Sequence, residues 1–244
     1  EGFVKPLNYN HPEWNLENKI IYSDNENFCL RKFSDGNKNP ILVVPPYAGH
    51  HPNICERLIT FFKNKNRPVY VFDLFEPSPT SDSKDNSIED LVNYLIECID
   101  ILGESHIVGL CQGAWLSAIT LSVYNRKQLS YTNAAGPIDT YDPENEIWQY
   151  SNNIPMWYYN WLVCSSGGIQ SKYNQLTGFY FLSWPALMIS RYVDLFLALF
   201  KKDKKQIEKW HENKKWYDQP LNIAGKWYLE SVKYLFKENR LVEG

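Results

Sequence analysis

The sequence predicts an α/β protein with a mostly parallel sheet and helices on both faces. Short apolar runs, typical of buried strands, alternate with segments of helical period between residues 19 and 140. At 244 residues the chain is long enough to bury one such core and an inserted segment. From residue 141 the alternation stops, and aromatic, helix-rich sequence follows. These observations favour a single α/β core that carries a lid.

The predicted sheet begins with a hairpin and two buried strands. Strand-like runs at residues 19–22 and 28–33 flank a polar turn segment, which is the pattern of a hairpin. Continuous apolar runs at residues 40–45 and 68–73 are expected of strands that are covered on both faces. Between these two runs, apolar residues at helical spacing predict a helix over residues 54–65.

Two further helix and strand pairs complete the predicted core. Ser87 with Asp90 three residues later is a helix-start signal, and the helical spacing continues through Leu102. Residues 106–108 predict a short strand that runs directly into a helix, and residues 129–135 predict the last strand. Ligands of such sheets bind at the carboxyl ends of the strands, so the residues after 108 lie where chemistry is expected.

Three parts are predicted along the chain: a core over residues 1–140, a helical lid over residues 141–220, and a final helix over residues 221–244 that returns to the core. Within the lid, residues 178–200 are apolar over a length that could span a bilayer. Arg191 and Asp194 lie inside this stretch, and charges at that depth are costly. We therefore expect a buried or interfacial helix and no transmembrane span.

Composition excludes several function classes. A net charge of −3, without a basic cluster interleaved with aromatic residues, gives no reason to expect nucleic acid. The five cysteines show neither metal-ligand nor disulfide-framework spacing, so we expect reduced thiols, a cytoplasmic protein and no metal site.

The segment from Gly109 to Gly113 carries the clearest chemical signal. Cys111 stands between a predicted strand and a predicted helix, where a nucleophile must sit on a tight turn. Glycines two residues before and after it leave room for the backbones to pass. Serine is the usual occupant, and a cysteine thiolate is intrinsically the stronger nucleophile. The alternative is a buried cysteine in a turn that happens to carry two glycines.

A nucleophile of this kind needs donors for the oxyanion and a base. The backbone N–H of Gln112 follows the nucleophile, and Tyr47, Ala48 and Gly49 form a loop after an earlier strand, where a second donor is expected. His50 and His51, directly after this loop, are candidates for acting on the substrate, and a structural role for this pair is at least as well supported.

From about residue 40 to its end, the chain resembles the polyhydroxyalkanoate enzymes of the α/β-hydrolase superfamily, namely intracellular polyhydroxybutyrate depolymerases and polyester synthases. The motifs that carry the resemblance are Pro45-Pro46-Tyr47-Ala48-Gly49-His50, Val108-Gly109-Leu110-Cys111-Gln112, Ala135-Gly136-Pro137-Ile138-Asp139-Thr140, Tyr173 with Gln175-Leu176-Thr177-Gly178-Phe179, and Trp227-Tyr228-Leu229-Glu230 with Asn239-Arg240-Leu241. The third motif is the most specific match to the depolymerases, whereas Gly113 follows the synthase pattern. The resemblance implies an α/β-hydrolase core with an aromatic helical lid.

Both groups take their catalytic aspartate and histidine from strands beyond the point where this sequence stops. After Cys111 the only histidine is His211, and His211 with Asp139 is the only pair in the usual order of acid and base. Three alternatives stay open: a missing segment or second chain that supplies both residues, a catalytically incomplete relative, or this substitute pair. We favour the first, because a parallel sheet that ends at its sixth strand leaves an edge uncovered. For Asp139 a turn-forming role is slightly favoured over a catalytic one.

The resemblance implies a cysteine-dependent acyl-transfer hydrolase of hydroxyalkanoate polyesters, closer to a depolymerase than to a synthase. It implies no resident cofactor, with coenzyme A as a conceivable acyl acceptor or leaving group. The expected partner is a hydrophobic polyester granule or an acyl thioester, in the cytoplasm or on granules. The alternatives are a synthase-like acyltransferase, a thioesterase for small acyl donors, and a non-catalytic relative that binds granules or a partner.

Overall fold

The computed structural model describes residues 13–49, 51–182, 191–207, 210 and 220–243. Six strands form the main sheet in the order β1-β2-β4-β3-β5-β6. Their bounds are β1 Lys19–Ser23, β2 Phe28–Ser34, β3 Ile41–Val44, β4 Val69–Leu74, β5 His106–Leu110 and β6 Ser130–Ala134. β1 and β2 form the predicted hairpin, β2 runs antiparallel to β4, and β3 to β6 are parallel. The predicted α/β fold class, a mostly parallel sheet with helices on both faces, is confirmed.

Helices cover both faces of this sheet. The core helices are α1 His51–Lys63, α2 Ile88–Leu102 and α3 Gln112–Val123. Alternate residues of one strand point to opposite faces, so Leu42 and Val44 pack with α2 and α3, whereas Ile41 and Val43 pack with α1. All four side chains are buried, which explains why β3 is apolar without alternation.

Helix α1 starts earlier than predicted. It begins at His51 instead of residue 54, and Pro52 occupies its first turn. Proline is well tolerated there, because an N–H in the first turn has no partner within the helix and the fixed φ of proline suits the helix. Helix α2 matches its prediction: the Ser87 side chain accepts from the Asp90 N–H, and the Asp90 carboxylate accepts from the Ser87 N–H.

Beyond β6 the described residues add no strand to the main sheet. They form α4 Glu146–Asn153, α5 Met156–Ser165, α6 Lys172–Leu182 and α7 Arg191–Phe200, a two-stranded ribbon of β7 Ile169–Gln170 with β8 Ile223–Ala224, then α8 Gly225–Glu230, a π-helix Ser231–Lys237 and α9 Arg240–Glu243. The predicted continuous helix from residue 222 is therefore wrong at its start. Residues 223–224 pair with β7, and this non-local pairing outweighs their helical pattern.

Candidate active site

Cys111 lies on the sharp turn between β5 and α3. Its backbone has φ 51° and ψ −115°, in the left-handed range that non-glycine residues rarely adopt. The turn is held to the neighbouring strand, because the Cys111 N–H donates to the Ala134 carbonyl at 2.8 Å. A strained residue that the surrounding structure over-determines is typical of a functional turn.

The two glycines around Cys111 are required by close backbone contacts. A Cβ on Gly109 would lie 2.4 Å from Cα of Ala114, where β5 meets the start of α3. A Cβ on Gly113 would lie 2.1 Å from the carbonyl oxygen of Val44, at the end of β3. Both contacts bring backbone against backbone, so neither can be relieved by a change of rotamer. The elbow therefore packs directly against the strand that leads into the loop 47–49.

The Cys111 side chain is open to solvent, although protein atoms pack around its base. Their desolvation raises the pKa of the thiol above its ordinary value, and a hydrogen bond from the Gln112 backbone N–H partly opposes this shift. Within the described part of the chain, no side chain hydrogen-bonds the thiol. At neutral pH, Cys111 in these surroundings is mostly protonated, so it needs a base to act as a nucleophile.

The loop of Tyr47, Ala48 and Gly49 follows β3 and lies beside the elbow. The Tyr47 ring is buried and meets the ring of Trp227 edge-on at 5.1 Å. The Ala48 N–H donates to the side-chain oxygen of Gln112 at 2.7 Å. Gly49 has φ 76°, which permits the chain to turn toward α1. One of the three predicted donors, the Ala48 amide, is thus already engaged within the protein.

The loop that follows β6 closes the other side of the elbow. A Cβ on Gly136 would lie 2.9 Å from the Cys111 carbonyl oxygen. Asp139 is exposed, and its Oδ1 accepts hydrogen bonds from the Tyr141 N–H at 3.0 Å and from the Asn239 side chain at 2.9 Å. This carboxylate ties the loop to the C-terminal helical segment, which is the turn-forming role.

The histidines do not complete a triad within the described residues. His50 and His211 both lie outside the described residues. His106 stands at the first position of β5, at the opposite end of the strand from Cys111, and its Nδ1 pairs with the Ser130 hydroxyl at 2.8 Å. His51 is buried on the α1 face of the sheet. Neither described histidine hydrogen-bonds the thiol.

Sequence reasoning missed a buried charged cluster around Asp73, near the carboxyl end of β4. The carboxylate accepts from His51 Nε2 at 2.7 Å, from the Trp14 indole N–H at 3.1 Å, and from the Arg31 guanidinium. Asp73 is fully buried and His51 is 2% exposed. The signal in the sequence was an aspartate that ends an apolar run and an arginine within the preceding strand-like run; in the sheet, Arg31 lies two positions along β2 from Cys29, the residue that pairs with Asp73.

The residues around Asp73 favour the ionised form of its carboxyl group. Burial by itself would raise the pKa of the carboxyl, but interactions with His51 and then with Arg31 outweigh it and hold that pKa below its ordinary value. Because His51 is the first residue of α1, this cluster anchors the point where the loop 47–49 rejoins the core.

The predicted lid exposes several aromatic side chains. Helix α5 exposes Trp157 and Trp161, one turn apart, and helix α7 exposes Phe196 and Phe200. Residues 147–171 contain no Asp, Glu, Lys or Arg, but Lys237 lies beside this segment, with its Nζ 5.8 Å from the centroid of the Tyr159 ring. Isolated exposed apolar residues are normal, but a concentration of them marks an interaction site.

Two kinds of feature are absent from the described ranges. Three or more His, Cys, Asp or Glu side chains do not come together there in a way that could hold a metal ion. None of the helices in these ranges combines the length and the apolar character that crossing a bilayer requires.

No family model matches the chain. A curated relative, the poly(3-hydroxyalkanoate) polymerase subunit PhaC of Thiocystis violacea, is 25% identical over 185 residues, which cover 72% of this chain and 49% of the relative. The chain thus spans about half the length of this relative.

Solved structures of hydrolases resemble the chain at low similarity. A carboxylesterase of Nitrososphaera gargenis has a TM-score of 0.44 and 13% identity, over 61% of this chain and 54% of that chain. A monoacylglycerol lipase of Paleococcus ferrophilus has a TM-score of 0.42 and 16% identity, over 56% of this chain and 51% of that chain.

Proposed function

We propose that this protein is a cysteine-dependent acyl-transfer hydrolase of hydroxyalkanoate polyesters, of the intracellular depolymerase type. The observation that carries the proposal is the left-handed backbone of Cys111 between β5 and α3, with the Gln112 N–H on its sulfur. This is the geometry of a nucleophile held at the carboxyl edge of a parallel sheet. The partial similarity to a polyhydroxyalkanoate polymerase subunit supports polyester as the substrate class.

The chemistry proceeds in two acyl transfers. The Cys111 thiolate attacks the ester carbonyl carbon, a carbon–sulfur bond forms, and the carbonyl electron pair moves onto oxygen. The ester carbon–oxygen bond then breaks, and the alcohol end of the polymer leaves with the proton that the base took from the thiol. Water next attacks the thioester, which releases the hydroxy acid and restores the thiol. Coenzyme A in place of water would carry the acyl group away as a thioester.

The base and its aspartate orienter come, in this proposal, from a second chain or from a segment of the gene product beyond these 244 residues. This requirement is motivated by the described histidines, His51 and His106, neither of which hydrogen-bonds the Cys111 thiol. The exposed aromatic side chains of α5 and α7 suit a neutral polyester, so we place the protein in the cytoplasm on the surface of granules.

The test is release of 3-hydroxybutyrate from amorphous polyhydroxybutyrate granules by the full-length gene product. Cys111→Ala is expected to lower the rate at least about a thousandfold, because the covalent route is lost. Cys164→Ala is the matched control, since Cys164 is the other exposed cysteine among the described residues. Unchanged release by Cys111→Ala would refute the nucleophile.

Two observations favour a second candidate, a synthase-like acyltransferase. The relative is a polymerase subunit, and glycine follows Cys-Gln at position 113. Supplying 3-hydroxybutyryl-coenzyme A distinguishes polymer synthesis from depolymerisation. A synthase releases free coenzyme A while polymer accumulates, whereas a depolymerase shortens existing polymer without that release.

A third candidate is a non-catalytic relative that docks on granules. It is favoured by the absence of a histidine partner for Cys111 among the described residues. Sedimentation with granules separates this candidate from the enzyme: Cys111→Ala and the wild type would bind equally, and neither would release acid in the presence of any partner chain.

A further inference from the structure

Gln112 joins two parts of the candidate site that are far apart in sequence. Its side-chain oxygen accepts the Ala48 N–H at 2.7 Å, across 64 positions of the chain. It is also the first residue of α3, and its own backbone N–H hydrogen-bonds the Cys111 sulfur. An N–H in the first turn has no partner within the helix, so it is free to serve this purpose. One residue thus touches both the nucleophile and the loop 47–49.

The hydrogen bond to Gln112 decides which amides of the loop remain available. The Ala48 N–H is occupied, whereas the N–H groups of Tyr47 and Gly49 make no hydrogen bond to another described residue. The Tyr47 ring is fixed in the core against Trp227, and Gly49 turns with φ 76°. Between these two points the Gln112 side chain contacts the loop through the Ala48 N–H.

The start of α3 packs closely against the end of β3, directly before the loop. Gly113 sits so close to the carbonyl oxygens of Val44 and Pro45 that a Cβ would lie 2.1 Å and 2.4 Å from them. The start of α3 and the end of β3 are therefore already in contact. This contact holds the elbow beside the strand that leads into the loop, and the hydrogen bond from the Ala48 N–H to the Gln112 side chain is a second connection between them.

We infer that the Gln112 side chain is a positioning residue, which clamps Ala48 so that the amides of Tyr47 and Gly49 face the acyl oxygen at Cys111. The inference rests on the proposed function and adds to it a residue that acts through the loop. In the acyl transfer, the developing oxyanion accepts from the Gln112 backbone N–H and from one of these loop amides. A rival arrangement would have Gln112 competing with the substrate for the Ala48 N–H.

The experiment compares Gln112→Met with Gln112→Glu. Methionine keeps the length of the side chain but lacks the strong acceptor, whereas glutamate keeps the acceptor. Gln128→Met is the matched control, because the Gln128 side chain accepts from the Ser105 N–H at 3.0 Å at the opposite end of β5. The readouts are amide hydrogen exchange of the segment 47–49 and the burst of p-nitrophenol released from p-nitrophenyl butyrate by the full-length protein.

Gln112→Met is expected to speed exchange in the segment 47–49 and to slow acylation about 10- to 100-fold, with KM little changed, since a small misplacement of catalytic groups has this effect. Gln112→Glu is expected to keep the slow exchange and to recover most of the acylation, with a pH profile displaced upward by its charge next to the sulfur. Gln128→Met should change neither readout.

Unchanged exchange in Gln112→Met would overturn the clamp, and faster acylation would establish the rival arrangement in its place. Failure of the proposed function looks different. A wild type that is acylated by p-nitrophenyl butyrate but releases no 3-hydroxybutyrate contradicts polyester as the substrate and leaves the clamp standing. A wild type that is not acylated at all contradicts both the nucleophile and the positioning role.

Discussion

At the residue scale, the identity of the nucleophile depends on backbone conformation more than on the thiol. Five cysteines occur in the chain, and Cys29, Cys55 and Cys98 are buried. Burial raises the pKa of all three thiols, so they are inert at neutral pH. Cys111 differs in its positive φ, its exposure and its place between a strand and a helix.

The ionisation of Cys111 gives a first prediction. Because desolvation raises the pKa of its thiol, alkylation of the 244-residue chain by iodoacetamide, without the proposed histidine donor, should reach half of its maximal rate above pH ~8.5, the ordinary value for cysteine. The measurement is the rate at Cys111 against pH, resolved by peptide mass spectrometry in a Cys164→Ala background. Rapid alkylation at pH 6 would contradict the prediction, since it requires a cationic neighbour that stabilises the thiolate.

A second prediction concerns the close contact at Gly113. Gly113→Ala forces a methyl group against the backbone of β3, so we expect the free energy of unfolding to fall by about 1–3 kcal/mol, as for an overpacked core. Gly178→Ala is the control, because Gly178 lies in α6 and nothing is found within 4 Å of the added Cβ. Urea unfolding measures both, and equal effects would argue against the contact.

At the element scale, the sequence predicted a helix end correctly where the signal lies in neighbouring residues. It predicted a helix end wrongly where a distant segment pairs with those residues. The capping box of Ser87 and Asp90 placed the start of α2 correctly, because both hydrogen bonds are made within one turn. The segment 222–224 has a helical pattern, yet it extends to pair with Ile169 and Gln170. A sequence window cannot contain a partner more than fifty positions away.

The capping box gives a third prediction. Ser87→Ala removes the acceptor of the Asp90 N–H, and a lost N-cap costs about 1 kcal/mol of stability. For a chain of this size the thermal midpoint should fall by roughly 2–4 °C. Ser122→Ala is the control, since its exposed hydroxyl donates to the Ile119 carbonyl near the end of α3. A fall as large in the control as in Ser87→Ala would contradict the capping argument.

At the scale of the whole molecule, one buried cluster connects three secondary-structure elements. Arg31 of β2, Asp73 of β4 and His51 of α1 join an antiparallel strand, a parallel strand and a helix through one carboxylate. Removing one partner of such a buried set leaves an uncompensated charge, which costs about 3–5 kcal/mol. The cluster therefore fixes the position of the start of α1 against the sheet.

Its pH dependence gives a fourth prediction. The pKa of Asp73 is lowered in the folded state, so its contribution to stability is complete above the unfolded value of ~3.9 and is lost as the pH falls through the folded value. The wild type should thus lose stability below about pH 4, whereas Asp73→Asn should be less stable at pH 7 and depend less on pH in that range.

The measurement is the urea midpoint between pH 3 and pH 7. Asp100→Asn is the matched control, because Asp100 pairs with Arg126 on the surface and such pairs contribute only about 0–1 kcal/mol. Parallel pH curves for the wild type and Asp73→Asn would show that another group governs acid stability.

Fold class, the order of the core elements and the position of Cys111 followed from the sequence by itself. Strand alternation, helix caps and glycine spacings each involve only a few neighbouring residues, so they can be recognised in the sequence. The tertiary structure alone decided that Gln112 occupies the Ala48 amide and that His51 binds Asp73. Each of these contacts depends on where separate strands end along the same edge of the sheet, and that register exists only once the chain has folded.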